Sequence, residues 1–125
     1  MLKDNTVIAM IAVKDLDKAK EFYSGTLGLE QVEENPGGVA YKSGSGQVFV
    51  YPTPMAGTNK ATSATWMVDD IDAVVKDLKD KGLKFEEYEF PGAKVENSVH
   101  TMGPMKAAWF TDPDGNILGL SSDEK

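Results

Sequence analysis

One short pattern occurs twice in this chain and limits its folding more than any other feature. Val13-Lys14-Asp15-Leu16-Asp17-Lys18-Ala19 is matched by Val68-Asp69-Asp70-Ile71-Asp72-Ala73-Val74. Each copy follows an apolar stretch of strand character, residues 6–13 and 64–68, and each leads into a helical pattern. Asp15 and Asp70 stand at N-cap positions, where a carboxylate accepts a hydrogen bond from a first-turn N–H. Asp17 and Asp72 add negative charge near the positive end of the helix dipole. Leu16, Ala19, Phe22 and Tyr23, and then Ile71, Val74, Val75 and Leu78, recur at spacings of three and four, which predicts that one face of each helix is core. Gly25 and Gly28 punctuate the end of the first helix, and Gly82 supplies a left-handed stop for the second.

Short strand candidates follow each helix: 30–34, 39–43 and 47–51, then 83–88, 106–111 and 117–121. Asn35-Pro36-Gly37-Gly38, Gly44-Ser45-Gly46 and Asp112-Pro113-Asp114-Gly115-Asn116 are the turns. In the last of these, proline presets one φ and glycine supplies a positive one. The chain therefore reads as strand–helix–strand–strand–strand, twice. This is an α+β fold in which one domain, 1–125, contains two β-α-β-β-β modules at about 6–52 and 62–121, joined by a linker at about 53–61. Residues 91–104 read as a longer irregular stretch, a lid or rim. Two curved sheets related in this way leave a groove between them, and such junctions favour ligands.

Composition narrows the function classes. The chain has 125 residues, no cysteine and a net charge of −7. Absence of cysteine removes disulfides, thiolate metal sites and a thiol nucleophile. An acidic balance argues against a nucleic-acid partner. No apolar run approaches a membrane span, and the first residues carry no apolar signal core, so a cytoplasmic protein is expected. The Gly44–Gly46 loop lacks the lysine and following helix of a phosphate loop. With His100 the only histidine, the serines have no partner for a nucleophilic triad at readable spacing.

Val13 to Tyr23, read as Val-x-Asp-Leu-Asp-Lys-Ala-x-x-Phe-Tyr, followed by Leu27-Gly28-Leu29, resembles the opening of the vicinal oxygen chelate superfamily. That superfamily includes glyoxalase I, extradiol dioxygenases, and fosfomycin- and bleomycin-resistance proteins. Val68 to Asp72 is similar to the start of its second module, and Asp112 to Asn116 resembles its final hairpin. The likeness runs from about Thr6 to Leu120. It implies a cupped eight-strand mixed sheet and, commonly, a homodimer.

The resemblance also implies a divalent metal held by His, Gln and Glu on the cavity face, acting as a Lewis acid on adjacent substrate oxygens. The corresponding positions here are Ile8, Ser63, Gly119 and, within one residue, Val50. Isoleucine, glycine and valine offer no donor atom, and a neutral serine hydroxyl alone does not hold such an ion. No metal and no cofactor are therefore expected.

Strand alternation selects the candidate groove face. It comprises Ile8 and Met10 with Ala12, Val48 and Val50, Ser63, Thr65 and Met67, and Ile117 and Gly119, a mainly apolar wall. Trp66 falls on the helix side. Trp109 and Phe110 are adjacent, so one of them faces the groove; Trp109 is the candidate ligand contact. His100 is the candidate general base, or a ligand contact, in a segment able to fold over the groove mouth. Glu86, Glu87 and Glu89 form an acidic group around Tyr88, expected to be a solvated strand end. The leading reading is a metal-independent protein binding a small apolar or aromatic molecule, with a sequestration or resistance role. The alternative is a lyase, isomerase or oxygenase with a non-standard metal site, or with His100 as base.

Overall fold

The structure is a computed structural model that describes residues 2–123. The chain divides into two compact units. One holds the residues up to Ser63 together with Asp112–Asn116; the other holds Ala64–Thr111 and the chain from Ile117 onward.

In the first unit, β1 (Ala9–Val13) leads into helix α1 (Leu16–Lys20), followed by a π-helical turn at Glu21–Thr26. The Asp15 side chain accepts from the Lys18 backbone N–H, as its N-cap position predicts. Strands β2 (Glu30–Asn35), β3 (Gly38–Ser43) and β4 (Gly46–Pro52) complete a sheet of order β1-β4-β3-β2. β1 runs parallel to β4, while β4-β3 and β3-β2 are antiparallel, so the sheet is mixed. Ile11, Val13, Val39, Tyr41, Val48 and Val50 are buried, as are Ala19, Phe22 and Tyr23 of the helical segment. The Tyr23 and Tyr41 rings lie 6.0 Å apart, which places the buried side of the sheet against the helical segment.

The second unit contains all but the first two residues of β5 (Thr62–Met67), helix α2 (Ile71–Asp80), β6 (Phe85–Glu86), β7 (Lys94–Glu96), β8 (Val99–Met102), β9 (Met105–Thr111) and β10 (Ile117–Asp123). The sheet order is β5-β10-β9-β8-β7, with β6 pairing to β9. Asp70 caps α2 by accepting from the Ala73 N–H. Ile71, Val75 and Leu78 are buried, and α2 packs on β8, β9 and β10. Phe110 sits in this core, with Trp66 stacked at 6.4 Å and Phe85 edge-on at 5.5 Å.

The α+β class and the mixed pairing are as expected, but the strand inventory is not. Among the described residues, ten strands in sheets of four and six replace the expected eight. The surplus lies in the stretch read as irregular, where β7 and β8 form a hairpin with Glu96 opposite Val99. Asn97 and Ser98 both take positive φ, 52° and 69°. This is the two-residue geometry that matches strand twist, reached here without glycine. Conversely, the strand expected at 83–88 shortens to Phe85–Glu86.

Candidate functional site

Strand β9 organises the second sheet. Cross-strand partners lie on the same face, so Leu118 shares a face with Phe110 and Leu120 with Ala108. That face is closed by Trp66, Phe85 and α2. The opposite face carries Trp109 with Gly119, Ala107 with Ser121, and Thr111 with Ile117. His100 joins it opposite Ala107, Val95 opposite His100, and Glu86 opposite Trp109.

Gly119 shapes the centre of this face. A β-carbon there would lie 3.0 Å from Thr65 Oγ1 and 3.4 Å from Trp109 Cδ1. Because glycine has no side chain, the threonine hydroxyl and the indole edge settle over the strand. Thr65, Gly119 and Trp109 thus form a row across β5, β10 and β9.

Beside that row three further rings gather around Trp109. His100 meets Trp109 edge-on at 5.0 Å and Phe90 at 6.0 Å. Tyr88 lies 5.3 Å from Trp109, and Phe90 5.6 Å from it. Each aromatic pair in such an arrangement contributes about 0.5–1.5 kcal/mol beyond its area burial. One hydrogen bond pins the irregular segment to the sheet: the Tyr88 backbone N–H donates to His100 Nε2 at 2.8 Å. Partial burial, and then the Glu86 carboxylate, hold the Tyr88 phenol above its ordinary pKa. A hollow of about 520 Å³ opens alongside, lined by Tyr88, Glu89, Phe90, Pro91, Ala93 and Val95.

The Tyr88 bond assigns the state of His100. A backbone N–H only donates, so Nε2 presents its lone pair and the ring proton sits on Nδ1. His100 is wholly buried, and Nδ1 has no hydrogen-bond partner among the described residues. With its lone pair engaged and its proton already in place, this imidazole is not poised as a general base. Nor is His100 at a loop mouth, as its sequence context suggested. It stands inside β8.

Of the residues expected to contact a ligand, the second sheet gathers Thr65, Trp109, His100, Ile117 and Gly119 on one face. Ser63 and Met67 share that face by alternation with Thr65, and Met67 is strongly exposed. In the first sheet, Met10 is exposed on the side away from Ile11 and Val13, and Ile8 is exposed just before β1. Val48 and Val50 do not join them. The parallel register pairs Ile11 with Val50 and Ala9 with Val48, which turns both valines into the core. Met10 is paired instead with Phe49, and Ala12 with Tyr51. Phe49 and Tyr51 on the first sheet, and Tyr88 and Phe90 on the second, were missed. The parallel register identifies the first pair, and no local periodicity marks the second.

The side chains present do not fit the divalent ion that the resemblance implies. Ile8 and Gly119 bring no donor, Val50 is buried in the core, and its neighbours are Phe49 and Tyr51. Among the described residues, no group of three His, Asp or Glu side chains is placed to share an ion. A longer residue at position 119 would meet Thr65 and Trp109.

The chain matches the family described as "Glyoxalase/Bleomycin resistance protein/Dioxygenase superfamily" over residues 6–120. Three solved structures have the same fold. A glyoxalase family protein from Enterococcus faecalis superposes with a TM-score of 0.74 at 22% identity, covering 97% of this chain and 99% of that one. TnmS3, an antibiotic binding protein from Streptomyces sp. CB03234, gives 0.68 at 23%, covering 96% of both chains. Lactoylglutathione lyase from Agrobacterium tumefaciens gives 0.69 at 19%, covering 94% and 92%.

Proposed function

The chain belongs to the glyoxalase/bleomycin resistance/dioxygenase superfamily, and from that premise we propose that it binds small, largely apolar or aromatic molecules without a metal. The observation that carries this reading is the cluster of Tyr88, Phe90, His100 and Trp109 on the open face of the second sheet. Rings with exposed area bind planar apolar molecules by stacking and area burial. A face without clustered His, Asp or Glu offers a divalent ion no chelate. A neighbour of like fold is an antibiotic binding protein, which supports a sequestration or resistance role here. Absence of a membrane-length apolar helix among the described residues is compatible with the cytoplasmic homodimer included in this reading.

Two measurements test it together. Elemental analysis of purified protein is expected to find no stoichiometric Fe, Mn, Ni or Zn. Titration with planar aromatic probes, followed by thermal shift, is expected to raise the melting temperature in a saturable way. A stoichiometric ion whose removal lowers that temperature overturns the metal-independent reading. A flat response to the whole aromatic panel overturns the binding reading.

A further inference from the structure

His100 is a buried donor that finds no acceptor among the described residues. Its Nε2 is committed to the Tyr88 N–H, so its proton is on Nδ1, and Nδ1 has no partner among the described residues. A buried N–H left in this state costs free energy that an acceptor would recover. Three rings wall the imidazole, and they are not held equally. Trp109 is fixed in β9 opposite Gly119. Tyr88 is tied through its own backbone N–H. Phe90 is 41% exposed and lies in a stretch with neither helix nor strand. Its carbonyl accepts from the Ala93 N–H, and its side chain meets Tyr88, His100 and Trp109 through ring contacts. The hollow beside it gives an arriving ring an approach and a displaced phenyl somewhere to go.

Resting on the binding reading above, we propose that Phe90 is a stand-in ring and the His100 Nδ1–H a specificity donor. The ligand class is then a neutral planar aromatic molecule with a carbonyl oxygen on its edge. Its ring replaces the Phe90 phenyl against Trp109, and its oxygen accepts from Nδ1. The uncharged acceptor follows from the surroundings. Glu86 shares the face opposite Trp109 and Glu89 lines the hollow, so a carboxylate or phosphate acceptor would meet like charge. Exchange of one ring for another preserves the cage contacts, and the new hydrogen bond is the net gain.

Fluorene and 9-fluorenone share one ring frame and differ by a carbonyl, which makes them suitable probes. In the unmodified protein, 9-fluorenone is expected to bind roughly tenfold more tightly than fluorene, the worth of one added hydrogen bond. The His100 Nδ1 proton resonance should move downfield with 9-fluorenone and stay in place with fluorene. Phe90→Ala is expected to tighten both probes several-fold, because the cage is then already open. Equal affinities with an unmoved Nδ1 resonance would leave the binding reading standing and overturn this inference, the donor being satisfied by a ring face. Weaker binding of both probes to Phe90→Ala would make Phe90 a ligand contact and likewise overturn it. If neither probe binds, the binding reading and this inference fall together.

Discussion

The Tyr23 hydroxyl donates a 2.8 Å hydrogen bond to the carboxylate of Asp112, 89 residues further along the chain. That carboxylate is fully used. Oδ1 accepts from the Asp114 and Asn116 backbone N–H groups, both at 2.9 Å, and Oδ2 accepts from Asn116 Nδ2 as well as from Tyr23. Asn116 Nδ2 also donates to the Ala12 carbonyl at 2.7 Å. The Asp112–Asn116 turn is thereby fastened to β1 and to the helical segment, which explains why it belongs to the first unit. Tyr23→Phe removes one bond to a buried charge and is expected to cost about 1.5–3 kcal/mol. Asp112→Ala strips four bonds at once and should cost about 3–5 kcal/mol. Urea denaturation of the two variants checks both the sizes and their order.

The same pair predicts an alkaline effect. Burial first, then the Asp112 carboxylate, push the Tyr23 phenol far above its ordinary pKa of 10.0. The folded state therefore keeps this proton where the unfolded chain releases it. The resulting stability is complete below the unfolded pKa and declines as pH rises above it. Melting temperatures measured from about pH 8 to about pH 11.5 should fall steeply at the upper end. In Tyr23→Phe the fall should be shallower, since the remaining tyrosines and lysines titrate in both proteins. Parallel curves for the two would show that Tyr23 does not carry the effect.

Local patterns were enough for much of this fold. Asp15 and Asp70 cap their helices because a carboxylate at that spacing meets the first-turn N–H groups wherever the helix is placed. Trp66 stacks on buried Phe110, on the helix side of its sheet, because alternation along one strand is a local property. The open face was only partly readable. Val48 and Val50 alternate properly, but their phase is set by pairing to Ala9 and Ile11 in a parallel register, which leaves no mark in either strand. Tyr88 and Phe90 belong to the ring cluster through one hydrogen bond to a residue twelve positions away, within irregular backbone that has no period to read. The β7–β8 hairpin was hidden because Asn97-Ser98 does the work usually given to glycine.

Gly57 is a position where the backbone itself requires glycine. Its φ is +78°, and a β-carbon there would run into the Asp114 carbonyl oxygen. Gly44 has a similar φ of +56°, with nothing near its missing side chain. The pair separates conformational strain from steric conflict. Gly44→Ala should cost about 1–2 kcal/mol, the ordinary penalty for a left-handed alanine. Gly57→Ala should cost more than that, because backbone must move to make room. Thermal melts of the two variants side by side test the difference, and equal losses would show that the Asp114 contact yields freely.

The bond from Tyr88 to His100 makes a claim about dynamics. Among the described residues it is the hydrogen bond that ties the Tyr88 backbone to the sheet, and it closes the irregular segment over the rings. His100→Phe keeps a ring in the cluster but removes the acceptor. The Tyr88 amide should then exchange with solvent at a rate close to that of neighbouring Glu89, while amides of β9 and β10 keep their protection. Exchange read residue by residue by NMR distinguishes this local opening from a general loss of stability. If the whole sheet exchanges faster, His100 serves chiefly as packing.

The two tryptophans report on separate environments, and that gives the binding reading an internal control. Trp66 stacks on Phe110 on the helix side of the second sheet, whereas Trp109 stands on the open face among Tyr88, Phe90 and His100; both indoles are half-buried. A ligand seated on the ring cluster touches one indole and not the other. In Trp66→Phe the remaining emission should be quenched or shifted by a planar aromatic ligand. In Trp109→Phe the Trp66 indole should respond weakly, and affinity should fall by about tenfold, because a smaller ring leaves less stacking area and no indole N–H. Calorimetry supplies the affinity independently of the emission. A strong response from Trp66 alone would move the ligand off this face to the helix side of the sheet and overturn the proposed binding site.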